Sequence, residues 1–437
     1  MHTLEQLRAG ALHGASRLQL RGGLIEFPRE IFDLADTLEI LDLTDNALSS
    51  LPDDLPRLHK LRILFCSNNR FTALPAMLGR MPALTMVGFK ANQIETVPAS
   101  ALPPALRWLV LTDNCIAHLP SELGRRPALQ KLMLAGNRLT SLPPEMAELH
   151  QLELLRISAN AFTQLPAWLT RLPRLAWLAC AGNPWGAARA QAMGTAPAPL
   201  IDWDQLALQQ QLGEGASGVI HRATWRHASG SEPVAVKLYK GTMTSDGSPL
   251  NEMAACVAAG RHPNLIPVLG RIARHPDHAH GLVMALIDPA FINLAGPPSF
   301  ASCTRDVYDD GKRFDWRAML AIASGVAAAA AQLHARGILH GDLYGHNILH
   351  DAAGHSLLSD FGAAAFYDPA DVQAQPLQQL EVRAFGLLLE ELLERCDTPP
   401  AGRLDLAALQ AACVQPDVTA RPLFAYIAAR LAALKQD

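Results

Sequence analysis

The stretch 340–362, HGDLYGHNILHDAAGHSLLSDFG, holds three oxygen-bearing side chains at fixed offsets: Asp342, Asn347 five residues later and Asp360 eighteen residues later. An amide and a carboxylate supply the hard oxygen ligands that Mg²⁺ takes, and a second carboxylate can orient an acceptor hydroxyl and receive its proton. Transfer of a phosphoryl group asks for little more, because catalysis there is positioning and charge neutralisation rather than covalent chemistry. The tripeptides HGD and DFG each arise by chance beside turns; their joint spacing argues against chance.

Upstream, LALQQQLGEGASGVIHRATW (206–225) reads as strand, glycine-rich turn, strand. Gly213, Gly215 and Gly218 form G-x-G-x-x-G, a backbone that can approach phosphates closely and offer its amides as donors. Dinucleotide-binding folds share that hexapeptide, so the next strand, PVAVKLYK (233–240), decides. It places Lys237 nineteen residues beyond Gly218, on a strand rather than after a helix. LNEMAACVAAGRHPNLIPVLG (250–270) then reads as a helix ended by Gly260, with Glu252 in its first turn.

Together these segments resemble the protein kinase family, with its catalytic loop H-x-D-x-x-x-x-N, its D-F-G turn, its glycine-rich loop and its V-A-x-K strand. The resemblance implies a two-lobed domain using ATP and Mg²⁺. In it Gly213, Glu214, Gly215, Ala216, Gly218 and Val219 cover the nucleotide, and Lys237 holds the α- and β-phosphates and pairs with Glu252. Met284 and Leu286 lie at the adenine pocket, Asp342 is the catalytic carboxylate, and Asn347 and Asp360 bind Mg²⁺. The chain departs from the pattern at four places. Gly341 stands where many kinases have Arg, so control by a phosphorylated loop is not expected. Tyr344 occupies the position of a phosphate-contacting Lys. EVRAFG begins with Glu381 in place of Asp, only 21 residues past Asp360, with no A-P-E between. The late R-P motif is present at Arg421, but the glutamate that usually pairs with it is missing. HGDLYGHN also looks like the loops of small-molecule phosphotransferases, which leaves that class, and a nucleotide-binding scaffold, as alternatives to a Ser/Thr-type protein kinase.

The first half is a repeat. Asn46, Asn69, Asn92, Asn114, Asn137, Asn160 and Asn183 recur every 22 or 23 residues in the frame L-x-x-L-x-L-x-x-N-x-L-x-x-L-P, which resembles a leucine-rich repeat solenoid. The leucines point inward, and each Asn satisfies backbone groups within a turn that water cannot reach. Outward strand positions include Phe65, Met86, Trp108, Val110, Met133 and Trp177, residue types enriched at interfaces, and they predict a protein-binding face. The expected organisation is multidomain: a repeat domain over 1–193, a linker over 194–202 and a kinase-like α+β domain over 203–437.

Composition is consistent with folded, well-buried structure: of 437 residues 49% are hydrophobic and 18% charged, with a formal net charge of −4 and no long basic run. No nucleic-acid partner is expected, nor a membrane span, since the Ala-rich run Ile322–Leu333 is short for one. Seven scattered cysteines without metal spacing read as reduced thiols of a cytoplasmic protein.

Overall fold

The computed structural model describes residues 2–194, 198–215, 217–241, 244, 246–397 and 403–434. They divide into two compact units, Met1–Leu172 and Pro173–Asp437.

The first unit opens on a short helix, α1 (Leu4–Arg8), capped by Thr3 in a reciprocal box with Gln6. Seven three-residue strands follow: β1 (Arg17–Gln19), β2 (Ile40–Asp42), β3 (Ile63–Phe65), β4 (Met86–Gly88), β5 (Trp108–Val110), β6 (Lys131–Met133) and β7 (Leu154–Arg156). They pair in parallel and in chain order, with Ile40, Ile63, Met86, Trp108, Lys131 and Leu154 in register. Short 3₁₀ turns run on the return side. Leu41, Leu64, Leu132 and Leu155 are wholly buried between the two layers, as the leucine frame requires.

The asparagines do what their spacing predicts. Asn69 accepts from the Leu48 amide of the preceding repeat (2.9 Å) and donates through Nδ2 to the Leu43 and Cys66 carbonyls (2.9 and 3.1 Å). Asn114, Asn137 and Asn160 repeat the pattern, so one amide per repeat closes the turn and ties it to its neighbour.

The expected binding face differs from its prediction. Met86 and Met133 are buried, and only Phe65, Trp108 and Val110 are half-exposed. Strands about 4.8 Å apart let flanking side chains cover one another. The Phe65 ring fills the space over Gly88, where a Cβ would come within 2.5 Å of it, and Lys131 caps the Trp108 ring at 4.2 Å.

The second unit begins with the strand of the last repeat, β8 (Trp177–Ala179), and helix α2 (Pro184–Gly194). Trp177 was expected to face a partner; it is instead 2% exposed and packed inside this unit. The presumed linker also carries structure: β9 (Leu200–Asp202) pairs in parallel with β13 (Val268–Ala273). Between them lie β10 (Leu206–Glu214), β11 (Gly218–His227), β12 (Gly230–Tyr239) and helix α3 (Pro249–Ala259), and β14 (Gly281–Ala285) follows. The resulting six-stranded sheet runs β10-β11-β12-β14-β13-β9 over a core of Ile201, Leu206, Ala223, Val234, Val236 and Val283.

The larger lobe is helical. It holds β15 (Ile292–Asn293), α4 (Trp316–Ala335), β16 (Ile338–Leu339), β17 (Ile348–His350), β18 (Ser356–Leu358), β19 (Ala365–Phe366), α5 (Ala374–Glu394), α6 (Arg403–Cys413) and α7 (Phe424–Leu434). Asp315 caps α4 by accepting from the Ala318 amide. Among the described residues α4 alone is long and apolar enough to cross a membrane, and 67% of that window is buried within the protein. Segment 288–313 is pinned: β15 pairs with β17, and Arg305 bridges to Glu390 and Glu391 on α5. All seven cysteines are free.

Candidate active site

The glycine-rich turn joins β10 to β11, closed by the Gly215 amide donating to the Gly218 carbonyl at 2.9 Å. A Cβ on Gly213 or Gly215 would meet nothing within 4 Å and Glu214 between them is exposed and pairs with Lys240, whereas a Cβ on Gly218 would sit 2.4 Å from the Leu238 carbonyl of β12. That close approach, rather than φ, requires glycine there. Val219 lies opposite Leu238, one register step from Ile220 opposite Lys237. Ala216 lies outside the described residues.

Lys237, on a central strand, reaches across to α3 and pairs directly with Glu252. Glu252 is 2% and Lys237 14% exposed, so both charges depend on each other. Burial pushes the Glu252 carboxyl up, with the ammonium pulling against it. For Lys237 burial acts to lower the pKa, but Glu252 overrides it and the ammonium is held above its usual range. The Asp360 carboxylate acts on both groups in the same sense, raising each. Ser248 starts α3, accepting from the Leu250 amide, and so fixes the turn from which Glu252 points.

The loop 340–347 is organised around buried backbone. His340 is fully buried; its Nε2 bonds the Ser359 carbonyl at 2.9 Å and its ring packs on Phe361. Asn347 donates through Nδ2 to both the Asp342 carbonyl and its Oδ2, each at 2.9 Å. The Ser359 amide and hydroxyl both donate to the Asn347 carbonyl (2.9 and 2.8 Å), which sets Asp360 beside Asn347 at the end of the β17–β18 pair. Asp360 adopts a left-handed backbone (φ 54°), stabilised locally by its Oδ1 accepting from the Gly362 amide at 3.0 Å. Met284, on β14 opposite Ala235, and Leu286 just beyond it are half-buried at the strand end that leads from one lobe to the other.

Three contributors were not legible as functional. Glu381 accepts from the His340 and Gly341 amides (3.2 and 2.5 Å) and bonds His334 Nε2 at 2.6 Å. Burial alone would raise its pKa, but these partners hold the carboxyl below its ordinary range. Asp306, from segment 288–313, accepts from the His346 amide and bonds its Nδ1 at 2.7 Å, fixing the turn before Asn347. Glu391 ties Arg305 and Tyr308 beneath the same turn. Glu381 was placed by motif but not by role; Asp306 lies in an insertion with no pattern to mark it.

A metal bound chiefly by nucleotide phosphates needs one or two protein oxygens, and Asn347 and Asp360 are residues that could supply them. Asn347 commits its NH₂ to Asp342, which turns its carbonyl oxygen away as a free hard donor. Among the described residues no group of three His, Cys, Asp or Glu forms a metal cage, which accords with that economy.

Residues 206–383 match the family described as protein tyrosine and serine/threonine kinase, and residues 127–184 match leucine rich repeat. The chain thus joins a region similar to leucine-rich repeats to a domain similar to protein kinases. Among similar proteins, nodulation receptor kinase of Pisum sativum is 27% identical over 212 residues, 42% of this chain and 21% of its own length. Serine/threonine-protein kinase PkaA of Streptomyces coelicolor is 29% identical over 230 residues, 45% of this chain and 39% of its own length. Probable serine/threonine-protein kinase gdt4 of Dictyostelium discoideum is 27% identical over 167 residues, 37% of this chain and 9% of its own length. The chain thus matches well under half the length of these relatives.

Proposed function

We propose that the protein is an ATP-dependent protein kinase of the serine/threonine type, with the repeats as its protein-binding module. What supports the reading is the direct Lys237–Glu252 pair, together with a loop in which Asn347 donates to Asp342 while its backbone carbonyl takes the Ser359 hydroxyl next to Asp360, all within the second unit. The names of the similar proteins favour Ser/Thr over other acceptors.

In this reading the amides of the glycine-rich turn cradle the phosphates and the backbone beyond Met284, at Leu286, meets the adenine edge. Lys237, kept charged and aimed by Glu252, holds the α- and β-phosphates in place. Asp342, whose Oδ2 is fixed by Asn347, receives the proton of the acceptor hydroxyl as it attacks. Asn347 and Asp360 would hold Mg²⁺, which neutralises the charge developing on the transferred phosphoryl group. Phe65, Trp108 and Val110 remain the exposed apolar contributions to a protein contact on the repeats. A cytoplasmic setting fits seven free cysteines.

The test is incubation of the full chain with labelled ATP and Mg²⁺ and a cell extract, wild type beside Asp342→Ala. Label on protein that disappears in the variant is the expected result. Label confined to small molecules would overturn it in favour of a small-molecule phosphotransferase, the reading that the HGDL loop favours.

A further inference from the structure

A protein kinase domain usually orders its catalytic loop through an Arg beside the catalytic Asp and anchors its substrate platform through an A-P-E glutamate paired with a late Arg. This chain has neither. Its compact second unit nevertheless starts thirty residues before the linker's strand β9 ends, at Pro173, and includes β8 and α2.

The contacts of 173–178 explain why. Trp177 Nε1–H donates to the Leu343 carbonyl at 3.1 Å, and the Trp177 ring lies flat on Tyr344, centroids 4.2 Å apart and planes 5° from parallel. The Leu178 carbonyl crowds Gly341: a Cβ there would be 2.7 Å from it and 2.6 Å from the Ala363 carbonyl, and φ is +75°. No Arg fits, because the last repeat occupies its space. Asp342 is thus flanked on both sides by residues pressed on β8.

Two further links reach the helices. Arg421 is 2% exposed and donates to the carbonyls of Gln415, Gln379 and Pro173 at 2.8, 3.1 and 2.7 Å. Among the described residues it has no carboxylate in ion-pair contact, and burial lowers its pKa to about 10. Backbone carbonyls, that of Pro173 among them, are the acceptors Arg421 uses. Arg383 of α5 donates to the Arg174 carbonyl at 3.2 Å, and α2 packs against α3, the helix that carries Glu252, and against β19.

We propose that the last repeat is a working part of the phosphotransfer site, and that Trp177 is a positioning residue that holds the catalytic loop from below Leu343 and Tyr344. This rests on the protein kinase reading of the same site. Its chemistry is ordering, not reaction: a flat aromatic stack and one buried hydrogen bond remove the loop's freedom before the acceptor arrives. Order at Asp342 is then built in and does not wait on a phosphorylated residue.

The experiment uses the full chain as wild type, Trp177→Leu, Trp177→Phe, Tyr344→Leu and Asp342→Ala. Trp177→Leu and Tyr344→Leu are expected to lower kcat at least tenfold with the KM for ATP within twofold of wild type. Trp177→Phe, which keeps one aromatic ring against Tyr344 but loses the N–H and the second ring of the indole, recovers part of that loss. Amide exchange over 340–348 quickens in Trp177→Leu and Tyr344→Leu while exchange on β12 stays slow, a pattern that general unfolding does not give. Wild-type kcat in both leucine variants, or unchanged exchange over 340–348, overturns the proposal. A wild-type chain as silent as Asp342→Ala counts against the kinase reading instead, and the exchange data alone then decide whether Trp177 orders the loop.

Discussion

Replacing Lys237 by Met should destabilise the second unit, while replacing Lys237 and Glu252 together by Met and Leu should not. In the single variant the Glu252 carboxylate keeps its buried site, 2% exposed, and loses the ammonium that offsets its desolvation. Removing one partner of a buried pair costs about 3–5 kcal/mol, whereas an apolar pair of similar volume is neutral or stabilising by about 1–4 kcal/mol. Because Lys237 keeps 14% of its side chain in solvent, the lower end applies, about 3 kcal/mol. For a unit of this size that is a fall of roughly 6–12 °C in the midpoint of its transition. Calorimetry of the full chain resolves the two units' transitions and reads the shift directly. Both variants lose phosphotransfer, so stability and turnover separate in the double variant. A single variant that melts with wild type, or a double variant that melts as low as the single, would refute the claim that the Glu252 charge depends on Lys237 for its buried site.

Two other expectations concern the scaffold. Asn114→Leu strands the Ile94 amide and the Phe89 and Leu111 carbonyls in the repeat interior. At about 1–3 kcal/mol for a buried group left unpaired, urea unfolding of the repeat unit should register a loss of about 3 kcal/mol or more, and a loss below ~1 kcal/mol would show the ladder to be dispensable. Glu381 is held below its ordinary value of 4.5, so its stabilisation is complete above that pH and drains away as pH falls through the depressed native value. Acid unfolding of Glu381→Gln should therefore be less steep than that of wild type below about pH 4.5, and identical slopes would contradict the assignment.

How much could be read ahead depended on whether a residue's role lay in its own chain neighbourhood. The Asn of each repeat acts on backbone two and three residues away and one repeat back, so its period announced its work. Lys237, Glu252, Asp342, Asn347 and Asp360 fall at offsets that a strand, a helix and one loop impose, and the fold pairs Lys237 with Glu252 and Asn347 with Asp342. Trp177 sat at an outward strand position like Trp108, and nothing within the repeat distinguishes them. Its fate is set by Tyr344, 167 positions on, a pairing invisible to local pattern. Met86 and Met133 failed differently: alternation assigned them to the outer face, but neighbouring strands stand close enough to bury them there. Residues 200–202 were read as connection because three residues carry no periodicity, and only pairing with β13 makes them a strand. Asp306 had no motif, since its worth lies in reaching His346, 40 positions further along the chain.

The six-stranded sheet carries a practical lesson in β9. Anyone wishing to isolate the catalytic half would be drawn to cut near residue 206, where the family match begins. That cut removes β9, uncovers the hydrogen-bonding edge of β13 and exposes Ile201's seat in the core, leaving a bare strand of the kind that recruits other chains into aggregates. Insolubility of such a fragment would then report on where it was trimmed, and a soluble preparation calls for a start at or before Pro173.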